Sequence, residues 1–143
     1  MIFWTTLVVV LDRISKIATI RYLRVGESHT LIDGILYATH VRNPGAAFGL
    51  LPQMSVLLTV LSALITLGLI AFYIVSGLRG NWINLGVGLM VGGAIGNLVD
   101  RIQWGHVVDF IDLRFWPVFN VADIGVTVGG AIIIALLIRD ELI

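Results

Sequence analysis

Cysteine is absent from this 143-residue chain, which excludes disulfides, thiol nucleophiles and cysteine-ligated metals. Charge is scarce: 13% of residues are Asp, Glu, Lys or Arg, against about 25% in soluble chains. Nine basic and nine acidic residues balance, so no basic surplus is left for nucleic acid. There is no H-E-x-x-H, and His29, His40 and His106 lie in separate connections; no metal or other cofactor is expected. There is no G-x-S-x-G, and serines are few, so nucleophilic catalysis has no constellation to use. Repeats and low-complexity tracts are missing too. What fills the chain is apolar: 58% hydrophobic residues and a mean hydropathy of +1.00. One membrane-embedded domain over residues 1–143 is the expected class.

Four apolar runs, about 1–20, 55–76, 83–99 and 121–138, are expected to span, since ~20 apolar residues cross ~30 Å of hydrocarbon. The first, Met1–Ile20, shows neither a basic start nor a cleavage site and is read as retained. It carries Asp12 and Lys16, which share a helix face and can pair. They are either a self-neutralised pair or a prop for a functional site. Residues 21–53 are too polar to cross. Thr30–Ile32 and Ile35–Tyr37 flank Asp33-Gly34, which predicts a two-residue hairpin outside the hydrocarbon, within a β element at about 28–43. Within Arg42–Pro52, Ala46–Leu51 is apolar yet too short to span and reads as re-entrant or interfacial. The second span, Ser55–Ser76, has no charge. In the third, Ile83–Val99, Gly88, Gly92 and Gly96 recur every fourth residue, a small-residue stripe that lets another helix approach. Gly125 and Gly129 do the same in the fourth span, Val121–Ile138. The fold expected is therefore all-α and membrane-embedded, with four transmembrane helices and a small β-hairpin or sheet.

The chemistry concentrates in Gly92–Asp123, which holds Asp100, Asp109, Asp112 and Asp123. Carboxylates are expensive at membrane depth and need a partner or a function. Antiparallel neighbouring spans would gather these acids on one face. Two close carboxylates share a proton: the ionised one activates water and the protonated one polarises a carbonyl. That permits peptide hydrolysis without metal or thiol. Each acid also has a structural alternative. Asn120 and Asp123 have the spacing of a helix cap; Asp100-Arg101 could be a neutralised interfacial pair; Asp112 reads best as a solvated loop charge beside Arg114. A proton-coupled transporter is the rival function, but its charges should gather near the midplane of several spans, whereas here they gather at one face. Arginines run against the positive-inside rule: Arg79 and Arg139 lie on the side of the termini, and Arg21, Arg24, Arg42, Arg101 and Arg114 on the other.

These residues resemble lipoprotein signal peptidase, the type II signal peptidase of bacteria, through five motifs in order. LDRISK is similar to the family's D-Q-x-[ST]-K, with Asp12, Ser15 and Lys16 in place and Arg13 for the usual glutamine. RNPGAAFGLL supplies Asn43, Gly45, Ala46, Ala47 and Phe48; GGAIGNLVDR supplies Asn97, Asp100 and Arg101. GHVVDFID supplies Asp109, and FNVAD supplies Asn120, Ala122 and Asp123. The resemblance implies an aspartic endopeptidase of the bacterial cytoplasmic membrane, with its site toward the extracytoplasmic face. Its substrate would be a diacylglyceryl-modified prolipoprotein, cut before the lipidated cysteine. Asp109 and Asp123 would be the catalytic pair, a choice the motif makes over Asp100. Asn43, Gly45, Asn97, Asp100, Arg101, Asn120 and Ala122 would support the pair or bind substrate, with Asp12 and Lys16 orienting them. Membrane lipids are expected partners, nucleic acid is not, and the chain is expected to act as a monomer. The Asp109–Asp123 connection is short for the family.

Overall fold

The computed structural model describes residues 1–45 and 52–139. The motif residues Ala46, Ala47 and Phe48, and the re-entrant segment read there, lie outside the described residues. Four helices carry the fold: α1 (Ile2–Tyr22), α2 (Pro52–Val75), α3 (Asn81–Trp104) and α4 (Val121–Ile138). Three strands, β1 (Ser28–Ile32), β2 (Leu36–Asn43) and β3 (Val107–Asp112), form an antiparallel sheet in that order. The helices α2, α3 and α4 are long and apolar enough to cross a membrane. Helix α1 is comparable in length, but Asp12, Arg13 and Lys16 interrupt its apolarity.

Local chemistry sets the boundaries. Helix α2 begins at Pro52, whose fixed φ and missing N–H suit a first turn. Helix α3 ends where Gly105 turns left-handed (φ 72°) and its N–H returns to the Arg101 carbonyl at 3.0 Å. The β1–β2 hairpin closes around Asp33-Gly34 but differs from the two-residue turn expected. Only Gly34 has a positive φ (71°), and Ile32 pairs with Leu36 across a three-residue loop. A type I′ turn needs left-handed backbone at both central positions, and Asp33 does not adopt it. Strand β3 lies outside the β element expected at about 28–43 and forms the sheet's third member.

Glycines fix how closely the helices pack. On α3, Gly88 faces the Met1 carbonyl and Trp4 of α1, Gly92 faces Thr5 and Val8, and Gly96 faces the Asp12 carboxylate. Gly86 and Gly93 meet α4, whose Gly125 and Gly129 answer against α3 backbone. Helix α3 is thus the central post, with glycine on two faces. An apolar cluster of Ile83, Val87, Val91 and Leu136 fills one end of the bundle. The other end, beneath the sheet, is polar: Lys16, Asp12, Asp100, Asp109 and Asn120 are among the largest fully buried side chains. Outward, α2 exposes Val60, Leu64, Leu67 and Phe72, a surface suited to lipid rather than water.

A Cβ at Gly96 would sit 2.6 Å from Asp12 Oδ2. Gly96→Ala should therefore destabilise the protein by about 1–3 kcal/mol through overpacking. Gly68→Ala, where a Cβ meets nothing within 4 Å, should leave stability unchanged or slightly raised. Thermal unfolding of both variants in detergent checks this.

Candidate active site

The site forms where the C-terminal ends of α1 and α3, the N-terminus of α4 and strand β3 converge. Lys16 is at its root. Its ammonium is fully buried and lies 2.8 Å from Asp12 Oδ2, 2.8 Å from Asp100 Oδ2 and 3.1 Å from Asn97 Oδ1. An ammonium has three donors, and these three acceptors match them. Asp12 and Lys16 are thus the i,i+4 pair read from sequence, and Lys16 also reaches Asn97 and Asp100 of α3.

Each acid paired to Lys16 also holds a backbone amide. Asp12 Oδ1 accepts from the Ala122 N–H at 2.9 Å, one residue before Asp123. Asp100 Oδ2 accepts from the Val108 N–H at 3.1 Å, one residue before Asp109. A single cation therefore ties α4's first turn and strand β3 to the same point. Arg13 closes the cluster: its guanidinium bonds Asp100 Oδ1 at 3.3 Å and Gln103 Oε1 at 2.6 Å, and stacks over Trp104. Two acids meet two cations there, which compensates the burial of charge. Asp100 is therefore paired with Lys16 and Arg13, not with its neighbour Arg101. Arg101 turns instead toward α2, donating to Ser62 Oγ at 3.2 Å, and lies in the field of Asp123 and Asp109.

The asparagines follow from this root. Lys16 can only donate, so Asn97 turns its oxygen to Lys16 and its NH2 to Asp123 Oδ1, at 2.8 Å. Asn120 caps α4: its Oδ1 accepts from the Asp123 N–H at 2.9 Å, and Asp123 Oδ2 accepts from the Asn120 N–H at 3.1 Å. That capping box leaves the Asn120 NH2 free to reach Asp109 Oδ1 at 2.7 Å and Asn97 Oδ1 at 3.1 Å. Asn43 completes the ring. Its oxygen accepts from the Gly45 N–H at 2.9 Å, so its NH2 meets Asp109 Oδ2 at 2.8 Å. Gly45 has φ 122° and faces Leu58, a backbone state that favours glycine.

Asp109 and Asp123 are therefore bridged by amide groups, each accepting from two N–H donors. The capping role foreseen for Asn120 and Asp123 is real, and the same residues also serve the carboxylate pair. Burial pushes the Asp109 carboxyl up to about 6, with the Asp123 charge adding to it and the Asn43 and Asn120 donors opposing it. Asp123 accepts its donors at the positive end of α4. Asp112 corrects the sequence expectation. It is buried on β3, not solvated: it accepts from Thr39 Oγ1 at 2.6 Å and pairs with Arg114. The Thr39 bond holds its carboxyl below the usual range, the Arg114 N–H adding to this. Ser62 and Thr39 escaped sequence reading, because their partners lie on distant elements. Among the described residues no group of three His, Asp or Glu side chains is disposed to hold a metal ion.

Two apolar hollows flank Asp123. One of about 280 Å³ opens between α2, α3 and α4, past Ser62, Ile65, Ala94 and Arg101. The other, about 340 Å³, lies against Phe115, Trp116 and Phe119. A buried carboxyl, Asp109, bridged by amides to a half-buried one, Asp123, at the mouth of apolar helices is the kind of arrangement a membrane-embedded aspartic hydrolase would use. The comparisons with known proteins carry this further: residues 4–139 match the family model described as signal peptidase (SPase) II, and the chain belongs to that family of aspartic peptidases. It is 43% identical to the lipoprotein signal peptidase of Syntrophomonas wolfei over 147 residues, covering 96% of this chain and 93% of the relative. To that of Halothermothrix orenii it is 40% identical over 136 residues, covering 94% and 92%. A bacterial membrane enzyme solved by the in meso method at 1.9 Å resolution superposes with a TM-score of 0.90 at 32% identity, covering 97% of this chain and 92% of that one.

Lys16→Met would leave Asp12 and Asp100 short of their shared cation and should cost about 3–5 kcal/mol. Arg13→Gln should cost under about 1 kcal/mol, because that guanidinium is 25% exposed. Denaturant unfolding of the two variants separates the cases.

Proposed function

We propose that this chain is an intramembrane endopeptidase that removes signal peptides from diacylglyceryl-modified prolipoproteins, cutting before the lipidated cysteine, with Asp109 and Asp123 as its catalytic pair. Membership of the signal peptidase II family supports the reaction class. The observation that carries the residue assignment is the amide bridge from Asp109 through Asn120 and Asn97 to Asp123. A transporter is not supported by the relatives, and the buried charges cluster at one end of the bundle.

In this reading α1 crosses the membrane with α2, α3 and α4, its charges neutralised beneath the sheet. The protein acts as a monomer in the bacterial cytoplasmic membrane, with the sheet on the extracytoplasmic side. Water enters from that side, and substrate enters laterally through the hollow between α2, α3 and α4. Anchoring the substrate by its lipid removes translational freedom before chemistry begins. Asp123, ionised, takes a proton from the attacking water. Asp109, protonated, donates to the carbonyl oxygen. Collapse of the tetrahedral intermediate breaks the C–N bond: the leaving amine takes the proton held by Asp123, and one hydroxyl of the intermediate returns a proton to Asp109. Asn43, Asn97 and Asn120 hold the two carboxyls apart from other acceptors. Arg101 faces the hollow and can offer the substrate carbonyls a donor.

Asp109→Asn and Asp123→Asn should each lower cleavage of a lipidated precursor at least about 100-fold, without loss of membrane insertion. A gel-shift assay beside a membrane-extraction assay measures both, and near-normal cleavage by either variant would overturn the pair. Activity should fall on the alkaline side with an apparent pKa near 6, reflecting the raised Asp109 carboxyl. Asn43→Ala removes a donor that favours the charged form, so that limb should move to higher pH. A pH–rate profile for the two proteins decides it.

A further inference from the structure

Besides Arg13, which is held by Asp100 and Gln103, five arginines lie toward the sheet end of the bundle, and two of them are already held. Arg101 donates to Ser62, and Arg114 bonds Asp112 and Ser28 and covers the Tyr37 ring. The other three, Arg21, Arg24 and Arg42, converge on a single open cleft of about 910 Å³ at the C-terminal end of α1. None of the three has a carboxylate within ion-pair distance among the described residues. The last turn of a helix favours a cation, which explains Arg21. It does not explain Arg24 in the following loop or Arg42 on β2, which by strand alternation leaves the face opposite Asn43.

The one carboxylate in the cleft, Glu27, is engaged elsewhere. Its oxygens bond the Arg24 N–H at 2.7 Å and His29 Nε2 at 2.9 Å. The cleft thus keeps a surplus of positive charge. His40 also lines the cleft, its Nδ1 donating to the Leu23 carbonyl at 2.9 Å. Around the cleft Ile20, Tyr22 and Val25 are exposed, an apolar and aromatic rim at the depth where headgroups meet acyl chains.

We propose that this cleft binds the headgroup of an anionic phospholipid in the leaflet on the sheet's side. The phosphate is held by Arg21, Arg24 and Arg42. The apolar rim takes the start of the acyl chains, which a free phosphate lacks. Because β2 carries Arg42 into the cleft and Asn43 to Asp109, the bound lipid sits back to back with the candidate active site.

The test is native mass spectrometry of the full-length protein with phosphatidylglycerol and phosphatidylcholine of identical chains. Wild type should retain one phosphatidylglycerol in clear preference to phosphatidylcholine. Arg24→Gln and Arg42→Gln should each reduce that preference roughly fivefold. Arg79→Gln, at the far end of the bundle, should leave it intact. On unaltered protein the preference should shrink when salt rises from about 0.1 M to about 1 M, a reading that needs no variant to fold. Inorganic phosphate in millimolar excess should not displace the lipid. A wild-type preference in both the Arg24→Gln and Arg42→Gln proteins, or displacement by phosphate alone, would overturn the assignment.

Discussion

Everything around the carboxylate pair depends on one buried ammonium. Lys16 has no freedom of role: it can donate but not accept, and it is fully covered. That asymmetry propagates. It sets which end of Asn97 faces Asp123, and it recruits Asp12 and Asp100, whose remaining oxygens pin the amides next to Asp123 and Asp109. Without a cation at this point the acids would repel one another, and the asparagine network would have no fixed polarity. The glycine stripe on α3 serves the same end, since Gly96 is what lets the Asp12 carboxylate lie against that helix.

The polar end of the bundle shows how a membrane fold accommodates charge. Burying four charged groups without partners would be prohibitive. Here Asp12, Arg13, Lys16 and Asp100 neutralise one another, so α1 carries its ionisable residues inward and presents Leu11, Ile14 and Ile17 outward. The sheet then closes over the cluster. Val108, fully buried on β3, donates its N–H to that cluster while the next residue, Asp109, joins the asparagine ring.

Much of this was legible in the sequence. Hydropathy located α2, α3 and α4, and the four-residue glycine spacing identified the packing face of α3. The Asp12–Lys16 pair followed from helical spacing. What escaped has a physical reason. Strand β3 lacks a clean alternation, because Val107, Val108 and Asp109 are all buried and both faces of the strand are covered; its short β-branched and aromatic run was the available signal. Asp112 was misread because its burying partners, Thr39 and Arg114, come from the sheet and the following bend. Two of the three partners of Lys16, Asn97 and Asp100, lie more than eighty residues along the chain, beyond any local rule. Amide orientation is set by tertiary contacts, and no sequence pattern encodes it.

Asn120 does two jobs with one side chain. Its oxygen closes the first turn of α4 and its nitrogen touches Asp109. Aspartate and serine are comparable helix caps, so a stability-minded designer would regard the position as open. Neither offers an oxygen and an NH2 in opposite directions, so such a swap would keep the helix cap and lose the contact with Asp109. The start of α4 cannot be improved as a helix independently of what it holds, and fraying there would dismantle the carboxylate pair before the rest of the bundle loosened.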